Sequence, residues 1–337
     1  MRIRPVLRLV LLLLALAALA FGAVGCGRED DEDGEGDAAN IEETTGEAPA
    51  EELSGSVISD GSSTVGPLTT AAAERFREVQ PGVNVEVGIS GTGGGFERFC
   101  AGETDVSNAS RPIDEEDEVP LCEQNGVEFT EIQVAVDALT VVVNPANDWA
   151  DCLTVEELHT IWAPESEGTI NNWSQVRDGF PDVELVLAGA GTDSGTFDYF
   201  TDAVNGEEGA SRSDYTASED DNTTVQAVEG AEGGLGYFGL SYYLENEGAL
   251  KALEVENESG ECVPPSADTA QAGEYNPLAR PLFIYAKNES LTRPEVQEFL
   301  RFYLANIDDI ATDALFIPPP ADIKASSESA LEAAIGS

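Results

Sequence analysis

Three segments of this sequence combine hydroxyl side chains, glycine and the start of an apolar-periodic run. They are 60–67 (DGSSTVGP), with Ser62, Ser63, Thr64 and Val65; 91–95 (GTGGG), with Thr92; and 191–197 (GTDSGTF), with Ser194, Gly195 and Thr196. A helix start leaves backbone N–H groups unpaired and carries partial positive charge, so it attracts an anion. Glycine admits a ligand close to the backbone, and Ser or Thr hydroxyls add donors. Any one such turn is ordinarily just a helix cap. Three in one chain, without a competing catalytic set, point to oxyanion binding. A fourth segment, 104–112 (TDVSNASRP), places Ser110 beside Arg111. A guanidinium there could fork two N–H bonds onto a tetrahedral oxyanion.

These turns need elements to hold them. Residues 55–59 read as a strand, followed by the first turn and a helix from Pro67 to Val79 with Leu68, Ala72, Phe76 and Val79 on one face. Val83, Val85, Val87 and Ile89 alternate as a second strand, before the glycine-rich turn and a helix from Phe96 to Ala101. Phe129–Val134 and Ala138–Val143 read as two strands. Thr154 and Glu157 form a capping box for a helix through Trp162. Residues 185–188 are a strand, leading through the third turn into a helix over 196–204. Residues 220–229 suit a helix, 233–239 a tight glycine-rich segment, 281–285 a strand, and 294–304 a helix. Repeated strand, polar turn and helix predict an α/β fold with largely parallel sheets. In such sheets ligands bind beyond the carboxyl ends of the strands.

The chain has 337 residues and a net charge of −49, with only 16 Lys or Arg against 65 Asp or Glu. A nucleic-acid partner is therefore excluded. Such a field repels free anions at long range, so an anion site must act through short-range hydrogen bonds. Arg2, Arg4 and Arg8 precede an apolar run over 9–24, and Cys26 follows the small residues Ala23, Val24 and Gly25. This reads as a secretory signal over 1–25 with a lipobox-like Cys26, which would be lipidated and hold the protein on the extracytoplasmic face of the cell membrane. Twelve acids crowd 28–52 without an aromatic residue, so 26–52 reads as a disordered tether. In an oxidising compartment Cys100, Cys122, Cys152 and Cys262 should form two disulfides. Short loop closure favours Cys100–Cys122, leaving Cys152–Cys262.

The four turns, together with 137–144 (DALTVVVN), 153–162 (LTVEELHTIW), Trp173 and 235–239 (LGYFG), resemble the phosphate-binding proteins of high-affinity phosphate ABC transporters. The likeness runs over nearly everything after the tether. It implies a two-lobed periplasmic-binding-protein-like fold of type II, with two parallel-sheet lobes joined by a two-strand hinge. The lobes are expected over 53–138 plus 241–337, and over 139–240. It implies phosphate held between them by Thr64, the backbone of Val65, Thr92, Ser194, Gly195 and Thr196. The partners would be a permease and an ATPase on other chains, with no cofactor and a monomeric receptor. Two departures stand out: Ser110 occupies a position where the family has an Asp that accepts the proton of hydrogen phosphate, and Ala190 and Gly191 occupy the place of an Arg. Arg111 is a candidate replacement cation; Asp193, Asp220 and Asp221 are candidate acceptors.

Other readings are a phosphate sensor or scavenger, a receptor for another oxyanion, and a serine-type hydrolase using Ser194. The last needs a base. His159, the only histidine, falls in a helix where a boundary role is expected.

Overall fold

The computed structural model describes residues 52–192, 194–245 and 247–336. The signal segment, Cys26, nearly all of the tether, and Asp193 lie outside the described residues.

The chain opens with β1 (Gly55–Gly61), α1 (Gly66–Val79), β2 (Val83–Val87), α2 (Thr92–Cys100), β3 (Val106–Ala109), α3 (Glu118–Asn125) and β4 (Phe129–Val143). It continues through β5 (Cys152–Leu153), α4 (Val155–Trp162), β6 (Val186–Ala190), α5 (Gly195–Asn205), β7 (Thr216–Ser218), α6 (Asp221–Glu229), β8 (Gly234–Gly239) and α7 (Leu240–Glu245). The remainder is β9 (Lys251–Ala252), β10 (Glu254–Glu256), β11 (Cys262–Val263), α8 (Ala267–Gln271), β12 (Ala279–Lys287), α9 (Pro294–Ala305), α10 (Ile307–Asp313) and α11 (Ala321–Ile335).

Among the described residues the main sheet runs β2-β1-β3-β12-β4-β8-β6-β7, with β9 also pairing β4. β1 pairs in parallel with β2 and β3, and β6 in parallel with β7 and β8. The expected parallel lobes are thus mixed in the middle, because β12 is antiparallel to β3 and β4, and β4 to β8. The reason is topological. One hinge strand leaves the first half and the other returns to it, so they must run in opposite directions.

Two separate cores confirm the two-lobed α/β architecture. Val57, Leu68, Phe76, Ile132, Ile284, Phe299 and Tyr303 belong to the first, and a satellite of Phe96, Phe99 and Tyr285 packs α2 on the other side of that sheet. Leu139, Leu158, Trp162, Phe200, Tyr237, Leu253 and Leu278 belong to the second. The inward stripe expected on α9, Val296, Phe299, Leu300 and Tyr303, is buried.

Three readings change. The two strands expected between 129 and 143 are one continuous strand, β4. Asp137 falls within this strand, and Arg280 stands opposite it in register on β12. The boundary at 241 does not follow the packing, since Leu253, Val255, Val263, Tyr275 and Leu278 join the second core. The chain recrosses where Ala279 pairs with Ala138, and the Leu139 N–H donates to the Leu278 carbonyl at 2.8 Å. The tight glycine-rich segment expected over 233–239 is largely a strand, Gly234–Gly239, between β4 and β6.

The disulfides pair as loop closure suggested, Cys100–Cys122 and Cys152–Cys262. The capping box at Thr154 and Glu157 is present. No described helix is long and apolar enough to cross a membrane.

One ion pair gives the second lobe a pH dependence. The Arg212 side chain is nearly buried and donates to the carbonyls of Ile161 and Ile170, each at 2.9 Å, and to Asp214 at 2.5 and 2.9 Å. The guanidinium bonds hold the Asp214 carboxyl down to about 2. A depressed carboxyl stabilises the fold above its unfolded value, and that stabilisation disappears as pH falls from about 4 to 2. Asp214 is about one-third exposed, so solvent screening limits the effect to about 1–2 kcal/mol. Asp214→Asn should therefore cost about that much at pH 7 by urea unfolding, and next to nothing at pH 2.

Candidate anion-binding site

The first turn follows β1. Gly61 has φ +137°, and a Cβ there would lie 2.2 Å from the Asn108 carbonyl oxygen, so only glycine lets β1 pass β3 into the turn. Ser62 Oγ then accepts from the amides of Thr64 (3.2 Å) and Val65 (3.4 Å). These two amides are therefore engaged within the turn by Ser62, and Val65 is fully buried. The turn offers the cleft the side chains of Ser63 and Thr64. The second turn is helical from Thr92, earlier than the expected start at Phe96. Thr92 Oγ1 sits 3.0 Å from Ser110 Oγ and accepts from the Ser110 amide at 3.3 Å. That pairing joins α2 to the end of β3 within the first lobe.

The third turn belongs to the second lobe. Ser194 caps α5, accepting from the Thr196 amide at 3.1 Å. α5 is fixed by buried Phe197, Tyr199 and Phe200, and Phe200 stacks on Tyr237 at 3.7 Å between ring centroids. This anchoring presents the helix start to the opposite lobe. A Cβ on Gly195 would come within 3.1 Å of Thr64 Oγ1, so the two turns face each other at close range. Between them lies a cavity of about 140 Å³, lined by Ser63, Thr64, Pro67, Asp137, Ser194, Gly195, Thr196 and Phe316.

Five of the expected ligands thus converge: Ser63, Thr64, Ser194, Gly195 and Thr196. Val65, Thr92, Ser110 and Arg111 are not among the lining residues. Arg111, the expected cation, is paired within its own lobe. Its guanidinium forks onto Glu118 with two 2.8 Å bonds, leans over Phe96, and is half-exposed. Asp220 caps α6 through the Asn222 amide. Burial beside Asp220 and Glu219 pushes the Asp221 carboxyl up to about 6. Neither residue lines the cavity.

Two residues escaped the sequence reading. Asp137, on β4, lines the cavity and is 7% exposed. Arg280, opposite it on β12, donates from Nη2 to Thr64 Oγ1 at 3.2 Å and faces Asp137 Oδ2 from Nε at 3.4 Å. Its guanidinium lies 3.7 Å from the centroid of the Tyr199 ring on α5. One cation thereby touches the first lobe, the second lobe and the hinge. Burial pushes the Asp137 carboxyl up, against the opposing pull of Arg280. Asp198 is also raised by burial, with Arg280 again opposing. The available signal was an acid inside the mostly apolar run 134–143, and an arginine in a chain with few bases. Their pairing lies 143 residues apart and needed the fold to show it.

A family model described as a PBP superfamily domain matches residues 44–306. The phosphate-binding protein PstS of Staphylococcus saprophyticus is 37% identical over 292 residues, covering 86% of this chain and 89% of that one. The chain belongs to the phosphate-binding protein family of the PBP superfamily. Protein SphX of Synechococcus elongatus is 48% identical over 265 residues, 79% of this chain and 78% of that one. A crystal structure described as a possible phosphate binding protein from Planctomyces limnophilus superposes with TM-score 0.81 at 47% identity, covering 84% and 99% of the two chains. An ABC-type phosphate transport receptor from Vibrio cholerae shares the fold at TM-score 0.63 and 22% identity.

Members of this family are binding proteins rather than enzymes. The hydrolase reading also fails geometrically. Ser194 spends its hydroxyl oxygen on the cap of α5, whereas His159 Nδ1 lies 3.0 Å from Asn205 Oδ1 at the helix's other end. Eleven helical residues separate those positions by roughly 15 Å, too far for a base to act on the serine.

Proposed function

We propose that this protein captures inorganic phosphate between its two lobes and delivers it to an ABC importer whose permease and ATPase are separate chains. The observation that carries this reading is the apposition of Thr64 and Gly195 across a cavity of about 140 Å³, with Arg280 bonded to Thr64. That volume is below the ~300–1,000 Å³ of pockets for drug-sized ligands and suits a small anion. Hydroxyls of Ser63, Thr64, Ser194 and Thr196 would donate to its oxygens, and Arg280 would supply the charge. Thr92 and Ser110 would support the first-lobe turns around it. Arg111 is left out, because Glu118 holds it.

Contacts from both lobes favour the closed state, since only differential affinity can shift an open–closed equilibrium. Capture of this kind would occur outside the cytoplasm, with Cys26 as the lipidated residue and 26–52 as the tether. Two disulfides fit that oxidising setting.

Calorimetric titration of protein stripped of bound ligand tests the reading: phosphate should bind tightly, and silence would remove it. Gly195→Val supplies the structural control. Its side chain would meet Thr64 and hold the lobes apart, a strain of about 1–3 kcal/mol, so affinity should fall roughly 5- to 150-fold. Unchanged affinity would show that the ligand does not sit between these turns.

A further inference from the structure

β2 stands at one end of the main sheet, with β1 as its only strand neighbour among the described residues. Its outer backbone N–H and C=O groups face away from the sheet, the arrangement that templates pairing with another strand. Val79, which closes α1, is 58% exposed, and Ile89, just past β2, is 63% exposed. These two large apolar side chains flank the open strand. Beside it runs a groove lined by Ala73, Glu74 and Arg77 of α1 and by Val83, Val85 and Val87 of β2, among others. Arg77 is exposed, and among the described residues it is the basic side chain with neither an acid nor a carbonyl as partner. In a chain of net charge −49, a base left unpaired beside an open strand can receive an acid from another molecule.

We propose that β2 pairs antiparallel with β2 of a second copy, about a two-fold axis at Val85, so that two main sheets join into one. A two-fold interface must be self-complementary, and β2 is so in this register. Val83 stands opposite Val87 of the second copy, Val85 opposite Val85, and Asn84 opposite Glu86. Directly opposed residues share a face, so the valines continue the apolar layer beneath both copies of α1. The half-buried Val85 and Val87 are covered further. Asn84 Nδ2, which donates to Glu86 at 3.0 Å within one chain, meets the same kind of acceptor across the axis. An axis at Glu86 would instead set two carboxylates face to face, which is destabilising. The axis at Val85 also runs the two α1 helices antiparallel, bringing Arg77 of each toward Glu74 of the other.

Net charge opposes this association at long range. Two such chains repel each other over the screening length, about 10 Å at 0.1 M salt and about 3 Å at 1 M. The strand contacts act at hydrogen-bond range, and an ion pair partly enclosed by the interface is screened much less. Pairing should therefore strengthen as salt rises. The monomer implied by the family resemblance prevails at low salt, and the dimer at molar salt.

Sedimentation velocity of the full chain at about 0.05 M and about 2 M NaCl tests this. Wild type is expected to pass from monomer to dimer, with the dissociation constant falling at least about tenfold. Arg77→Glu changes an exposed, unpaired side chain and should leave the fold intact, which a melting curve verifies. It places like charges together twice across the axis, so at high salt the dimer should weaken at least about tenfold. Adding Glu74→Arg to that variant reverses both signs and should restore the dimer. A wild type that stays monomeric at both salt concentrations overturns the proposal. So does a dimer of equal strength in Arg77→Glu, or one that the double variant does not rescue, because either result places the contact on another surface.

Discussion

Arg280→Ala is expected to weaken phosphate binding by about 30- to 5,000-fold, the largest effect of any single change at the cleft. Two losses combine in it. The guanidinium is the cation that bonds Thr64 and faces Asp137, and its removal takes the positive charge from beside the ligand. It also leaves the nearly buried Asp137 carboxylate without its countercharge, directly against an incoming anion. Truncating one member of a buried charged pair costs about 2–5 kcal/mol, much of it from the partner left behind. Arg111→Ala is the informative comparison. That guanidinium is half-exposed and held by Glu118, so its loss should change affinity by less than about threefold. A competition titration with labelled phosphate on both variants separates the two arginines. Equal effects would mean that the cleft described here is not where the anion resides.

The Cys152–Cys262 disulfide should be the largest covalent contributor to stability. It ties β5 to β11, the outer strands of the small sheet ordered β11-β10-β5, and closes a loop of 110 residues. Restricting the unfolded chain over that length is worth about 4–5 kcal/mol on the loop-entropy model. Cys100–Cys122 spans 22 residues and should contribute about 1 kcal/mol less through the same term. Urea unfolding of the double variants Cys152→Ala/Cys262→Ala and Cys100→Ala/Cys122→Ala checks the order. Both members of the shorter bridge are fully buried beside Phe96 and Phe99, so their alanine variant also loses packing and could narrow the gap. A Cys152–Cys262 deletion costing under 1 kcal/mol would show that the unfolded chain is already compact there.

The architecture was legible wherever local signals agreed. Alternation of apolar residues gave β2, the Thr154–Glu157 capping box gave α4, and polar turns before apolar periods gave α1 and α5. Errors fell where long-range pairing overrides local appearance. β4 was read as two strands, because the sequence could not show the β12 residues, Arg280 among them, that pair along 129–138. The glycines of 233–239 suggested only a tight segment, whereas Gly234–Gly239 forms a strand between β4 and β6. Residues 250–278 could not be allotted to a lobe from composition, since membership depends on which core Leu253 and Leu278 enter.

The site divides along the same line. Ser63, Thr64, Ser194, Gly195 and Thr196 were visible because helix starts with hydroxyls and glycine are local patterns. Arg111 stood out as a rare base in a small-residue loop, but its pairing with Glu118, seven residues on, was not legible. Arg280 and Asp137 required tertiary structure, being neither adjacent in sequence nor part of a turn.

The measurement that bears most directly on phosphate capture is the crystal structure of the phosphate-loaded protein. Phosphate is expected in the cavity between Ser63–Thr64 and Ser194–Thr196, with oxygens within hydrogen-bond distance of Thr64, Thr196 and Arg280, and one oxygen facing Asp137. Phosphate bound elsewhere, or beside Arg111 with this cavity empty, would contradict the assignment.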